Sequence, residues 1–167
     1  MANTYRLLAS VTVGSGGAAT MAFTSIPQTY TDLVMKISAR TTRVAVVDAI
    51  SWSFNGLTTN QQSISLEGAG GAAGNLDLTT FRTIANASSA TASFFGNSEV
   101  YIPNYADSQY KSASSDGIAT EVGSAHIWLS DNMWLSTAAI TSITITDVNS
   151  ATFLQYSTAH LYGIKNT

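Results

Sequence analysis

The sequence predicts an all-β fold, an antiparallel β-sandwich of jelly-roll type with about eight to ten short strands. Three observations carry that expectation. Apolar residues recur with a period of two at Leu33, Met35 and Ile37, and again at Ile50, Trp52 and Phe54, which is the spacing of a half-buried strand rather than a helix. Turn signals separate most such runs, Asn55-Gly56 being the strongest. No stretch is amphipathic over helical length, and outward positions carry Ser and Thr where a helix would carry Lys and Glu.

The most sharply written segment runs from Phe23 to Arg40. Phe23 and Ile26 close one apolar run, Pro27 fixes its own φ and pushes Ile26 out of the helical region, and Leu33, Met35 and Ile37 then face one side. Before it, Tyr5–Val13 reads as a strand with Leu7, Ala9, Val11 and Val13 on one parity, and Gly14–Gly17 turns it into a hairpin partner over Ala19–Ile26. Residues 41–48 read equally as loop or strand. Ile50–Phe54 is a strand with an aromatic inner face, and Ile64 and Leu66 continue its pattern after the Asn55-Gly56 turn. Glu67–Asn75 reads as a long exposed loop, and the spacing of Leu78, Phe81 and Ile84 admits one helical turn. Val100 and Ile102 share a face in a strand that Pro103 ends or places at an edge.

Further on, 106–117 reads as a polar loop, Ile118–Leu129 as a strand, and Asp131-Asn132 as a turn. Thr137–Thr146, with Ile140, Ile143 and Ile145 among threonines, favours strand. Val148–Ala151 is a turn, and Ser157–Ile164 is a closing strand covered on both faces. Residues 1–167 are expected to form one sandwich domain.

Composition narrows the function. Only 10% of the 167 residues are charged, against about 25% in ordinary soluble proteins, and 22 Ser, 22 Thr and 23 Ala take their place. The seven Lys and Arg are scattered singly in a chain of net charge -3, so no basic stripe supports nucleic-acid binding. The chain has no Cys, which excludes disulfides, thiolate metal sites and Cys nucleophiles. Met1–Arg6 lacks a basic region followed by an apolar one, and no run approaches the length of a membrane span, so neither a signal peptide nor membrane association is expected.

No enzyme chemistry stands out. His126 and His160 lie in different strands without ligands at metal spacing, no Gly-x-Ser-x-Gly elbow accompanies the serines, and no carboxylate pair is singled out for glycoside cleavage. Gly68–Ala73 matches a dinucleotide-binding spelling but lacks the helix and the later acidic residue. Asp147 and Asn149 read as a turn rather than a calcium site. No catalytic, cofactor-binding or metal residue is therefore expected, and no cofactor. Tyr30, Tyr101, Tyr105, Tyr110, Trp128 and Trp134 lie near turns or strand ends, where core packing, a subunit interface and a sugar-stacking platform are all open. Trp52 belongs to the core.

Three segments carry a resemblance. They are Phe23–Arg40, Val100-Tyr-Ile-Pro-Asn-Tyr105 with Lys111-Ser112, and Ala138–Ile145 with the closing Tyr156–Ile164, of which Leu161-Tyr-Gly-Ile164 is the most distinctive. Together they resemble a family of tailed-bacteriophage virion structural proteins, of the kind found in marine and cyanobacterial phages. The resemblance implies a virion protein with no catalytic residues. The expectation drawn from it and from the absence of a stalk is a capsid decoration (cement) protein on the outer surface of the head. It would be a homo-oligomer, expected to be a trimer, that clamps the major capsid protein. The other expectation is a tail-tip or head-fibre module that binds a host surface glycan.

Overall fold

The computed structural model describes residues 5–122 and 124–165. They form twelve strands: β1 (Tyr5–Thr12), β2 (Thr20–Phe23), β3 (Asp32–Ala39), β4 (Val47–Phe54), β5 (Gln61–Ala69), β6 (Ala72–Leu78), β7 (Arg82–Asn86), β8 (Gly96–Ile102), β9 (Lys111–Glu121), β10 (Ser124–Trp134), β11 (Ile143–Asp147) and β12 (Thr158–Ile164). An eight-stranded sheet has the order β1-β12-β3-β8-β9-β10-β5-β6, and a four-stranded sheet the order β2-β11-β4-β7. Every pairing within them is antiparallel. The all-β antiparallel sandwich is thus observed, with more strands than expected. A jelly-roll winding is a finer statement than this strand order carries.

The core lies where the apolar alternation is strongest. Leu33, Met35 and Ile37 of β3 and Val100 and Ile102 of β8 meet Ile50, Trp52 and Phe54 of β4 and Ile143 and Ile145 of β11, all buried in one cluster. Phe81 and Trp134 fill its end, the Phe54 ring lying 5.3 Å from Phe81 and 5.5 Å from Trp134. Asn55 and Gly56 both take positive φ, 54° and 71°, the geometry of the tight hairpin turn that this dipeptide favours. The Asn55 side chain accepts from Thr141 N at 2.8 Å and donates to Ala139 O at 2.8 Å, fixing the approach to β11.

Several local expectations are corrected. β1 and β2 are not a hairpin: β1 pairs with β12 and β2 with β11, in different sheets. A register shift between Leu7 and Ala9 changes which side chains of β1 face inward, so Leu8 and Val11 pack on the core while Leu7 stays exposed. Glu67–Asn75 is not a loop but the hairpin of β5 and β6, turned by Gly70 and Gly71, both of positive φ. The region of Leu78, Phe81 and Ile84 is strand and loop, with no helical turn. The supposed 106–117 loop contains the start of β9, and Asp131-Asn132 lies within β10 rather than turning the chain.

Beneath β7 the two sheets approach closely. An added Cβ on Gly117 would lie 2.3 Å from Thr83 Oγ1, and one on Gly96 would lie 2.8 Å from the Ala85 Cα. Only small inward residues fit there, and β5, β9 and β10 supply Ser63, Ser65, Ala113, Ser115, Ser130 and Asn132, all buried. Their polar atoms are satisfied among themselves. Ser63 donates to Asn132 Oδ1 at 2.9 Å, the Asn132 amide donates to Ser115 Oγ at 3.0 Å, and Ser65 and Ser130 share a bond of 2.8 Å.

Candidate docking face

Hydroxyls pointing inward send the apolar residues of the same strands outward. Ile64, Leu66, Ile127 and Leu129 are 56%, 60%, 53% and 55% exposed, with Ile118 and Met133 exposed beside them. Here the expectation that Ile64 and Leu66 continue the inner face is overturned, because a period of two does not say which side is buried.

The strand registers lay out the outer face of the large sheet in rows. One row reads Leu7, Tyr162, Val34, Tyr101, Ser114, Asp131, Ile64 and Asp77; the next reads Ser10, His160, Lys36, Glu99, Asp116, Leu129, Leu66 and Asn75. A third runs Thr12, Thr158, Ser38, Asn97, Ile118, Ile127, Gly68 and Ala73. The face therefore has an aromatic end at β1 and β12, a polar middle, and an apolar end over β9, β10 and β5.

Two clefts border the apolar end. One, of about 280 Å³, is lined by Lys36, Asn97, Glu99, Asp116, Ile118 and His160 among others. The other, of about 250 Å³, is lined by Ile64, Asp77, Asp131 and Met133 among others. Lys36 pairs with Glu99 at 3.0 Å, and that contact raises the ammonium above its usual range. Partial burial, and next the Glu99 carboxylate, push Asp116 above the ordinary carboxylate range.

The six aromatics singled out by position separate into two groups. Trp134 and Tyr105 are wholly buried and Trp128 nearly so, so these three are packing residues, unavailable to a ligand or partner. The Tyr105 hydroxyl donates to the Pro27 carbonyl, and Trp128 packs with Ile84 and Ala119. Tyr30 is half-buried, its ring close over Gly163. Tyr101 and Tyr110 are exposed. Tyr101 lies on the outer face, its hydroxyl donating to Asp32 Oδ2 at 3.0 Å. Missed from the sequence were Tyr5 and Tyr162, whose rings lie 4.9 Å apart at the aromatic end.

Other polar groups are structural. The Arg40 guanidinium donates to the carbonyls of Ser88, Ala90, Thr91 and Phe94, tying down the loop before β8. Lys111 is buried, its ammonium donating to the Asp107 and Gln109 carbonyls, and burial lowers it from the usual lysine range. Asp147 Oδ1 accepts from Asn149 N at 2.6 Å and Ala151 N at 2.9 Å, the turn expected there. Burial, and then the neighbouring Asp48, raise Asp147 to about 6, so a proton on Asp147 joins the two carboxyls. Asp48 is held below its usual range by that contact and by Thr41, Asn149 and Arg43, against the opposing effect of its burial. His126 Nδ1 lies 3.9 Å from Glu67. Among the described residues no three His, Asp or Glu side chains gather as metal ligands.

Fold and site together define a β-sandwich whose most developed surface is a sheet face suited to contact rather than a cavity suited to chemistry. Comparison with family models, with curated proteins and with solved structures finds no match in any of the three.

Proposed function

We propose that the chain is a structural protein of a tailed-bacteriophage virion. Its role is that of a capsid decoration (cement) protein on the outer surface of the head, contacting the major capsid protein. The observation that carries this reading is the apolar outer face of β5, β9 and β10, because several large apolar side chains grouped on one sheet mark a surface that is covered in use. The resemblance of Phe23–Arg40 and Leu161–Ile164 to phage virion proteins supplies the setting. The mechanism is additive: each copy buries a modest area against the shell, and symmetric repetition, in trimers, multiplies it into resistance to internal pressure. It requires no catalytic group, cofactor, nucleic acid or membrane. The test is cryo-electron microscopy of virions carrying a tagged copy. Extra density on the head lattice supports the proposal, and shells that withstand heating equally well without the protein overturn it.

A second reading, a tail-tip or head-fibre module for a host glycan, is favoured by the exposed rings of Tyr5, Tyr101 and Tyr162 on the aromatic end of the same face. The buried Trp128 and Trp134 no longer contribute to it. A glycan array with Tyr162→Ala and Tyr101→Ala decides it: saturable binding lost in both variants supports the module, and an array without signal removes it.

A further inference from the structure

The apolar end of the large sheet is bordered by acids. In the first row Ile64 sits between Asp131 and Asp77, and in the second Leu129 follows Asp116 and Glu99. The cleft beside Ile64 holds two carboxylates and no cation among its lining residues. The cleft beside Ile118 holds two carboxylates and one cation, Lys36, which is already paired with Glu99.

This charge pattern decides between occupants. A second copy docked face to face would set these carboxylates against their own counterparts around an apolar centre, a like-charge arrangement that disfavours the contact. A partner with apolar side chains flanked by cations meets both requirements. It covers Ile64, Leu66, Ile127 and Leu129 and supplies the missing countercharges.

We propose that the outer face of β5, β9 and β10 docks a protein surface that presents apolar side chains between two Lys or Arg side chains, one seated in each cleft. By strand spacing the two cations would stand roughly 10–15 Å apart. An Arg suits the Asp77–Asp131 cleft best, since its forked donors can serve both carboxylates at once. The proposal deepens the docking role given above and rests on it, by naming the chemistry that the capsid surface must offer.

The test uses the full chain and two short labelled peptides, one alternating Val and Arg and the other alternating Val and Glu, read by fluorescence anisotropy and by methyl NMR. The Arg peptide is expected to bind saturably, to shift the methyls of Leu66, Ile118, Ile127 and Leu129, and to weaken as salt is raised. The pair Asp77→Asn and Asp131→Asn should weaken it about tenfold, with unchanged circular dichroism. Equal binding of both peptides, shifts outside this face, or no binding would overturn the proposal. So would self-association abolished by Leu129→Ser, which assigns the face to a second copy, or a saccharide panel that shifts the same methyls. Because this readout needs no virion, it can fail while the head location stands, and the reverse.

Discussion

Strands β4 and β10 lie in different sheets of one sandwich and obey the same alternation with different outcomes. In β4, Ile50, Trp52 and Phe54 are buried and Ser51 and Ser53 face the partly exposed side. In β10, Ser130 and Asn132 are buried while Ile127, Leu129 and Met133 face outward. The difference comes from what lies across the sandwich. Opposite β4 the sheets are far enough apart for rings and branched side chains, whereas β7 lies so close over β8 and β9 that Gly, Ala and Ser are the residues that fit. Width decides which side of a strand is the inside, and hydropathy alone does not.

Breaking the wide half should cost most. Trp52→Ala is expected to lose about 3–5 kcal/mol, because the ring contacts of Phe81 and the neighbouring aliphatic residues have nothing to collapse into. Equilibrium urea unfolding measures it. A loss of under about 1 kcal/mol would mean that the aromatic stack is not the core.

The narrow half rests on hydrogen bonds instead. Asn132→Ala leaves Ser63 and Ser115 without their partner, and should cost about 1–3 kcal/mol for the groups left unsatisfied. Ser115→Ala alone should cost less, since the amide also donates to the Ala113 carbonyl. Equal losses in the two variants would contradict the central place given to Asn132.

A third prediction concerns the Asp48–Asp147 pair, which joins the start of β4 to the end of β11. Asp147 is raised in the fold, so its contribution is fully present below the unfolded carboxylate value near 3.8 and is lost as pH rises through about 6. Asp48 is lowered, so its contribution is present above that unfolded value and is lost on acidification. Asp147→Asn, a permanent neutral donor to Asp48, should raise Tm at about pH 7.5 and flatten the slope between roughly pH 4 and 6. Thermal unfolding across that range checks both. An unchanged slope would mean that Asp147 does not titrate there.

The wide half was legible in the sequence because there the apolar side is also the buried side. Leu33, Met35, Ile37, Ile50, Trp52 and Phe54 all face inward as expected, and the Asn55-Gly56 turn has the expected geometry. The narrow half was not. Ser63, Ser65, Ser130 and Asn132 resemble solvated positions when read along their own strands, and the neighbour that buries them, β7, is distant in sequence. Asn132 inside β10 was mistaken for turn chemistry for the same reason. The Gly-rich 68–74 stretch suggested flexibility, while two glycines of positive φ in fact make a tight hairpin. The candidate face was illegible in consequence, since the row holding Asp131, Ile64 and Asp77 exists only once three strands are in register. Of the aromatics chosen by their nearness to turns, Tyr101 and Tyr110 are exposed and Tyr30 is half-buried. Proximity to a turn says little about depth.

The smallest expected effect tests the account most directly. Replacing Leu66 and Leu129 together by Ser on the outer face should leave the urea midpoint nearly unchanged, within about 0.5 kcal/mol per site, because both side chains already lie in water. A loss of several kcal/mol from that double variant would mean that these leucines are core, and that the outward apolar face does not exist.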